Sequence, residues 1–446
     1  MKNQLQKHPI ISGAMLLTAA GVLTRLIGFF YKIYLSRELG AESLGIYQLI
    51  FPIMGLCFSF TSAGIQTALS RYVSKALGIG RPAEAKSYLQ FGLFLSIALS
   101  LVTGSLLFSY ADFIANICLG EARCASLLKI ISFSLVPCSI HACLNGYFYA
   151  KKKAAIPAVS QLIEQLVRVG SVYLIDQILQ SQGKDITISL VVMGLVFGEI
   201  AGMLIAISFS GIKLELLPKF THGKELLSMA VPLTATRLVL NLFGSVENIL
   251  IPSCLREFGY TQAEALSVFG VLTGMSMAVI MFPTVITNSV SVILLPTISE
   301  AQATNNNAMI QKSIQRTFFS CLALGFVACG IFLATGSFIG NVIFQNALAG
   351  TFIKTLSWIC PFLYLSSTLN SILHGLGHPK ATFFIGLAGC GIRILFIYFG
   401  IPQLGISAYL YGLIASQILM SVFAVKILSH GTLFPRLLHI AKKVLG

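Results

Sequence analysis

Seven ionisable side chains lie inside apolar stretches that are long enough to cross a membrane, and their types indicate anion binding. They are Arg25, Glu164, Arg168, Glu199, Arg237, Glu247 and Arg393. A charge at the centre of a bilayer costs at least about 2.5 kcal/mol, so each of these groups must face a partner or a polar cavity. A guanidinium group can grip a phosphate through two parallel hydrogen bonds. The four arginines therefore predict a cavity for an anionic ligand, above all a phosphate.

The three glutamates differ in the partner that the sequence offers them. Glu164 precedes Arg168 by four residues, the order that favours an ion pair on one helix, and we expect this pair to be either structural or part of the cavity. Glu199 has no neighbouring partner in the sequence. Glu247 follows Arg237 by ten residues, about 15 Å along a helix axis, so these two side chains cannot pair directly. All three are kept as candidate cavity residues.

Patterns typical of catalysis are missing from the sequence. There is no glycine-rich phosphate loop of the ATPase type, and no histidine or cysteine cluster has the spacing of a metal site. His374 and His378 are four residues apart but stand alone at a predicted loop. We therefore predict that the protein is not an enzyme and needs no cofactor or metal, with a coupling ion or the membrane potential left open as its energy source.

The composition identifies the kind of element that must position these charges. Of the 446 residues, 56% are hydrophobic and 10% are charged, whereas soluble domains carry about 25% charged residues. A membrane helix needs about 20 mostly apolar residues, and the chain offers twelve such spans. They are 10–31, 45–70, 89–110, 126–149, 157–178, 187–209, 226–251, 265–294, 317–340, 353–375, 380–400 and 404–428. We predict an all-α polytopic membrane protein.

The excess of basic residues indicates the orientation of these spans. The formal net charge is +15, which by itself could also suggest nucleic-acid binding. With the N-terminus in the cytoplasm, however, the inner segments hold 19 Lys and Arg residues and the outer loops hold 7. Such a bias is the usual record of membrane topology. We therefore predict no nucleic-acid partner, and a multi-pass protein of the cytoplasmic membrane with both termini inside.

Short matches at a shared offset indicate an internal repeat. Leu144-Asn145 matches Leu369-Asn370, and Arg168 matches Arg393, both at an offset of 225 residues. Asn145 and Asn370 could line a cavity or bond neighbouring helices. Two parallel six-helix repeats are typical of transporters that bind substrate between two lobes. The predicted organisation is an N-terminal lobe at 1–210, an inner-surface linker at 211–226, a C-terminal lobe at 227–430 and a cytoplasmic tail at 431–446.

Two long segments resemble the stage V sporulation protein B group of polysaccharide exporters. They are LTRLIGFFYKIYLSRELGAESLGIYQL at 23–49 and FPTVITNSVSVILLPTISEA at 282–301. The resemblance implies the multidrug/oligosaccharidyl-lipid/polysaccharide exporter superfamily, with two six-helix lobes. It also implies a flippase for a polyprenyl-diphosphate-linked sugar, which in sporulating bacteria is linked to spore-cortex peptidoglycan. Arg25 aligns with a cavity arginine of the related lipid II flippases.

Our interpretation is a flippase whose substrate is a lipid-linked anionic saccharide and whose other partners are membrane lipids and cell-wall synthesis enzymes. Arg25, Arg237, Arg168 and Arg393 would hold the diphosphate. One alternative is a cation-coupled multidrug exporter, which usually needs an acidic residue in the N-terminal lobe. A second is a membrane-embedded transferase or polymerase acting on a lipid-linked sugar, although the outer loops are short for such an enzyme.

Overall fold

The computed structural model describes residues 9–211, 223–288, 307–376 and 378–430, together with Leu294 and Ile298. These residues form helices joined by turns, with no strand among them. Up to Glu257 the principal helices are α1 (Pro9–Glu38), α2 (Gly40–Gly78), α3 (Pro82–Ser109), α4 (Cys124–Ser132), α5 (Leu135–Ala150), α6 (Ala155–Ser181), α7 (Ile188–Ser210) and α8 (Gly223–Glu257). They are followed by α9 (Gln262–Ile280), α10 (Asn307–Phe338), α11 (Ala347–Leu356), α12 (Cys360–Gly375), α13 (Pro379–Leu395) and α14 (Ile406–His430).

The prediction of an all-α polytopic membrane protein is confirmed. Ten helices within the described residues are long and apolar enough to span a membrane, and the pair α4–α5, bent by 47°, raises the number to eleven. The remaining predicted span, 157–178, is helix α6, which carries Glu164, Arg168 and Asp176. These charges lower the mean hydropathy of α6, and two of them, Glu164 and Arg168, are among the seven ionisable residues that the sequence singles out.

Irregular turns recur at the spacing that the sequence repeat predicts. A wide π-helical turn follows α3 at Ile114–Cys118, and another follows α10 at Ile339–Ile343, 225 residues later. Further π-helical turns interrupt α2 at Ser59–Ala63 and α9 at Val271–Ser276. Because such turns disturb the hydrogen-bond ladder of a helix, their recurrence supports a structural repeat.

The chain divides into two compact units, one ending at Ile249 and the other beginning at Leu250. The division falls within α8, whereas the sequence places the start of the second lobe at residue 227. The first 27 of the 35 residues of α8 belong to the first unit, and this part packs against α2, as described below. Of the predicted linker, residues 212–222 lie outside the described residues, and so does the whole predicted tail, 431–446.

Each unit has its own apolar core. In the first unit the core joins α2, α3, α5, α7 and α8, with Leu69, Leu89, Phe148, Ala206 and Leu226 among its buried members. In the second unit it joins α10, α12, α13 and α14, with Ile314, Leu369, Ile385 and Ala424 among its members. These cores include α7, α8 and α13, which carry Glu199, Arg237 and Arg393.

Candidate functional site

A stripe of glycines on α7 brings this helix very close to α6. Gly194, Gly198 and Gly202 recur every four residues and so share one helix face. A Cβ atom at Gly198 would lie 2.8 Å from the carbonyl oxygen of Glu164, and one at Gly194 would lie 3.1 Å from that of Arg168. Small residues permit such backbone approach between membrane helices. Since Glu199 follows Gly198 directly, the stripe also sets the position of its carboxylate.

Three charged groups meet where α6 and α7 approach. The Nη2 atom of Arg168 lies 2.5 Å from an oxygen of Glu164 and 3.8 Å from an oxygen of Glu199. The ion pair expected from the i, i+4 spacing is therefore present, and Glu199 joins it from the second helix. The three side chains are between 9% and 19% exposed. Two carboxylates thus share one guanidinium in a largely buried position.

His141 on α5 adjoins the same group of charges. Its Nδ1 atom lies 3.7 Å from the second oxygen of Glu164, and its Nε2 atom lies 2.9 Å from the hydroxyl oxygen of Ser160. Cys138 lies one turn earlier on α5, on the same helix face as His141. We name Cys138, His141, Glu164, Arg168 and Glu199 the ionic cluster. It joins three helices of the first unit.

A separate buried carboxylate lies farther along α6. Asp176 is 1% exposed. One of its oxygens accepts hydrogen bonds from the Tyr34 hydroxyl and, at 3.1 Å, from the Gln180 amide, while its other oxygen has no hydrogen-bond partner. Asp176 lies near the end of the predicted span 157–178 and is not among the seven ionisable residues that the sequence singles out. The structure places it inside the helix packing, against α1.

Arg237 lies on a row of polar contacts between α8 and α2. Its Nη2 atom donates to the Thr67 hydroxyl at 3.1 Å, and Asn241 donates to Ser59. Farther along, Ser245 donates to the carbonyl of Pro52 at 3.2 Å. The Arg237 side chain is nevertheless exposed. These contacts hold α8 along α2 without covering the guanidinium.

The structure brings together only some of the residues that the sequence singles out. Glu164, Arg168 and Glu199 meet in the ionic cluster, whereas Arg25 is exposed on α1. Glu247 is 5% exposed on α8. In the second unit, Arg393 is half-buried and donates to the Cys390 sulphur at 3.3 Å.

The repeat-related asparagines share one further property. Asn145 on α5 and Asn370 on α12 each hold a side-chain oxygen that is buried and has no hydrogen-bond partner. Buried polar atoms in this condition are uncommon. This agreement between repeat-related positions supports keeping both asparagines as candidates for polar contacts inside the membrane.

Sequence reasoning missed His141, Cys138 and Asp176. Two signals were available for the ionic cluster: the glycines spaced every four residues on α7, and the i, i+3 spacing that places Cys138 and His141 on one helix face. The contact of His141 with Glu164 joins residues that are 23 positions apart. Such a contact depends on how α5 packs against α6, which local spacing does not reveal.

Comparison with known proteins supports the fold and identifies the family. Residues 10–302 match the family described as polysaccharide biosynthesis protein. Among curated relatives, stage V sporulation protein B of Bacillus subtilis (strain 168) is 26% identical over 430 residues, covering 94% of this chain and 83% of that protein. The lipid II flippase MurJ of the same organism is 23% identical over 404 residues, covering 83% of this chain and 73% of that protein.

Two solved structures show the same fold at low sequence identity. Lipid II flippase MurJ in an inward closed conformation aligns with a TM-score of 0.75 at 16% identity, covering 93% of this chain and 87% of that one. An inward-facing multidrug resistance MATE transporter of the MOP superfamily aligns with a TM-score of 0.73 at 13% identity, covering 94% and 98%. The resemblance inferred from the sequence is therefore confirmed, and the chain belongs to the polysaccharide biosynthesis protein family.

Proposed function

We propose that this protein is a flippase that moves a polyprenyl-diphosphate-linked saccharide across the bacterial cytoplasmic membrane by alternating access, and that Arg25 and Arg237 bind the diphosphate. The observation that carries this proposal is the exposure of both side chains on helices that are apolar enough to span a membrane. A guanidinium exposed at such depth needs water or an anion beside it. A lipid diphosphate provides the anion, and its apolar chain can stay in the bilayer.

Family membership supports the class of substrate. Two relatives along most of the chain are named for stage V sporulation and for lipid II flipping, and the family is described by polysaccharide biosynthesis. We therefore extend the proposal to a peptidoglycan precursor or another polysaccharide unit. Cell-wall synthesis enzymes would supply this substrate and consume it on the other side. Both termini would lie in the cytoplasm, as the charge distribution predicts.

The arginines of the repeat-related pair have different parts in this proposal. Arg168 shares its charge with Glu164 and Glu199, so it has little net positive charge to offer a phosphate. Its role is to hold α6 and α7 together. Arg393 has a sulphur atom as one hydrogen-bond partner, and we keep it as a phosphate contact of the second unit. Glu247, Asn145 and Asn370 remain proposed polar contacts of the transport path.

A flipping assay in liposomes tests the proposal. The purified protein is reconstituted with a fluorescent polyprenyl-diphosphate saccharide, and lipid in the outer leaflet is measured by its accessibility to a quencher. We expect Arg25→Ala and Arg237→Ala to lower the flipping rate at least tenfold, because each removes a phosphate contact. Arg256→Ala is the matched control, since Arg256 ends the same helix as Arg237 and donates to Ser253. Wild-type rates in both test variants would overturn the proposed function.

The ionic cluster favours one second candidate, a cation-coupled multidrug exporter. Such a transporter needs an acidic group inside the N-terminal lobe, and Glu164 and Glu199 supply two. Dye efflux from cells that express the protein, with and without a protonophore, distinguishes the candidates. Efflux that is abolished by the protonophore and by Glu199→Gln would favour the exporter over the flippase.

A further inference from the structure

The ionic cluster contains three ligand atoms of the kinds that bind transition metals. The Nδ1 atom of His141 and one carboxylate oxygen each from Glu164 and Glu199 all lie within 4.8 Å of one another. Each comes from a different helix, α5, α6 or α7. Imidazole nitrogen and carboxylate oxygen are common ligands of Zn²⁺.

The hydrogen bonds around His141 determine which of its ring nitrogens carries a proton. The hydroxyl of Ser160 donates its one proton to the carbonyl of Pro157 at 3.1 Å. Ser160 can therefore only accept from His141, whose Nε2–H donates to it at 2.9 Å. Nδ1 then presents a lone pair, and the nearest charged atom that it faces is the Glu164 oxygen at 3.7 Å. Two electron-rich atoms face each other, an arrangement that a cation between them would stabilise.

The distance between His141 and Glu164 suits a tetrahedral ion after a small contraction. Ligand atoms about 2.0–2.1 Å from Zn²⁺ lie roughly 3.3 Å apart in a tetrahedron. The observed separation of 3.7 Å between His141 Nδ1 and the Glu164 oxygen is close to this value. The bond from His141 to Ser160 is of the kind that orients a metal-binding imidazole from behind. Gly202 leaves room beside the ring, because a Cβ atom there would lie 3.0 Å from Nδ1.

We propose that His141, Glu164 and Glu199 form a binding site for a divalent transition-metal ion of the zinc type. The ion joins α5, α6 and α7 within the first unit. Arg168 stays beside the site and keeps its hydrogen bond to Glu164. This proposal goes beyond the flippase function and does not depend on it, since a metal that joins three helices would stabilise the fold of this unit whatever its activity.

Metal binding to the purified full-length chain tests the site. The protein is stripped with a chelator, incubated with Zn²⁺ and passed through gel filtration, and its zinc content is measured by mass spectrometry. We expect about one ion per chain in the wild type. We expect His141→Ala and Glu199→Gln to lower the retained zinc at least fivefold, and Ser160→Ala to weaken affinity roughly 10- to 100-fold. His374→Ala is the control, because His374 lies at the end of α12, outside the cluster.

The visible absorption spectrum of bound Co²⁺ distinguishes metal ligation from a merely structural role of these residues. Co²⁺ bound to the wild type should give the visible bands of a tetrahedral site. His141→Ala should remove these bands, while Cys118→Ser should keep them, since Cys118 is exposed elsewhere in the fold. A monodisperse wild-type protein that retains no zinc, or retains as much after His141→Ala, would overturn the site. Flipping assays on the same preparations keep this outcome separate from the proposed function.

Discussion

At the scale of single residues, the charges inside the membrane spans fall into two physical situations. Arg168 is buried with Glu164 and Glu199, so its charge is already balanced. Arg25 and Arg237 are exposed on their helices. Arginine is therefore part of a buried ion pair in one place and is exposed in the others. The sequence predicted the Glu164–Arg168 pair from local spacing, but Glu199 is 31 positions away from Arg168 and its contribution depends on how α7 packs.

Replacement of Arg168 tests the balance of charge in the ionic cluster. Arg168→Ala leaves Glu164 and Glu199 buried without their shared guanidinium, and breaking a buried ion pair from one side costs about 3–5 kcal/mol. We expect a lower free energy of unfolding, measured by thermal unfolding of the protein in detergent. Arg256→Ala, which removes an exposed guanidinium, should leave the unfolding temperature unchanged. Equal stability of Arg168→Ala and the wild type would contradict the described pairing.

At the scale of elements, the glycine stripe on α7 determines how the candidate site is built. Gly194, Gly198 and Gly202 bring α7 into backbone contact with α6 and into contact with His141 on α5. Residues on the facing side of α6 then lie within reach of Glu199. The site takes charged groups from α6 and α7 and an imidazole ring from α5. Its assembly therefore depends on three glycines, which have no side chains.

A pair of glycine substitutions separates packing from helix propensity. A Cβ atom at Gly198 would lie 2.8 Å from the Glu164 carbonyl oxygen, a backbone atom that cannot move aside. We expect Gly198→Ala to destabilise the protein by about 1–3 kcal/mol, as overpacking does. Gly170→Ala is the matched control on α6, because nothing lies within 4 Å of the added Cβ. Gly170→Ala should unfold at the wild-type temperature or slightly above it, since alanine favours the helix. Unfolding of Gly198→Ala at the same temperature as Gly170→Ala would contradict the close approach of α7 to α6.

The extent of each helix was only partly predictable. Apolar length indicates where a helix crosses a membrane, and in the part of the chain that the structure describes each of the twelve predicted spans corresponds to a helix or a helix pair. Breaks within a span are harder to predict, because the bend between α4 and α5 and the π-helical turns arise from the hydrogen-bond ladder and from packing. The division of the chain inside α8 follows from the contacts of Arg237, Asn241 and Ser245 with α2. A hydropathy pattern contains no information about such side-chain contacts.

At the scale of the whole molecule, the distribution of charge predicts which end of each helix faces the cytoplasm. The turn between α5 and α6 carries Lys151, Lys152 and Lys153, and all three are exposed. The segment after α3 contains Cys118, the one exposed cysteine among the ten. Under the positive-inside rule the lysine turn is cytoplasmic. The segment with Cys118 lies at the other end of the intervening α4–α5 span, so it should face outward.

Cysteine labelling in whole cells tests this orientation with one native and one introduced thiol. A membrane-impermeant maleimide should label Cys118 in intact cells, because the side chain is exposed on the outer side, and Cys118→Ser should abolish that labelling. In the Cys118→Ser background, Lys153→Cys should react only after the membrane is permeabilised. Pretreatment with an impermeant blocking reagent should protect against labelling of Cys118 but not of the cysteine introduced at position 153. Labelling of Lys153→Cys in intact cells, together with an absence of labelling at Cys118 in the wild-type protein, would reverse the predicted topology. The proposed flipping of the lipid diphosphate would then run in the opposite direction.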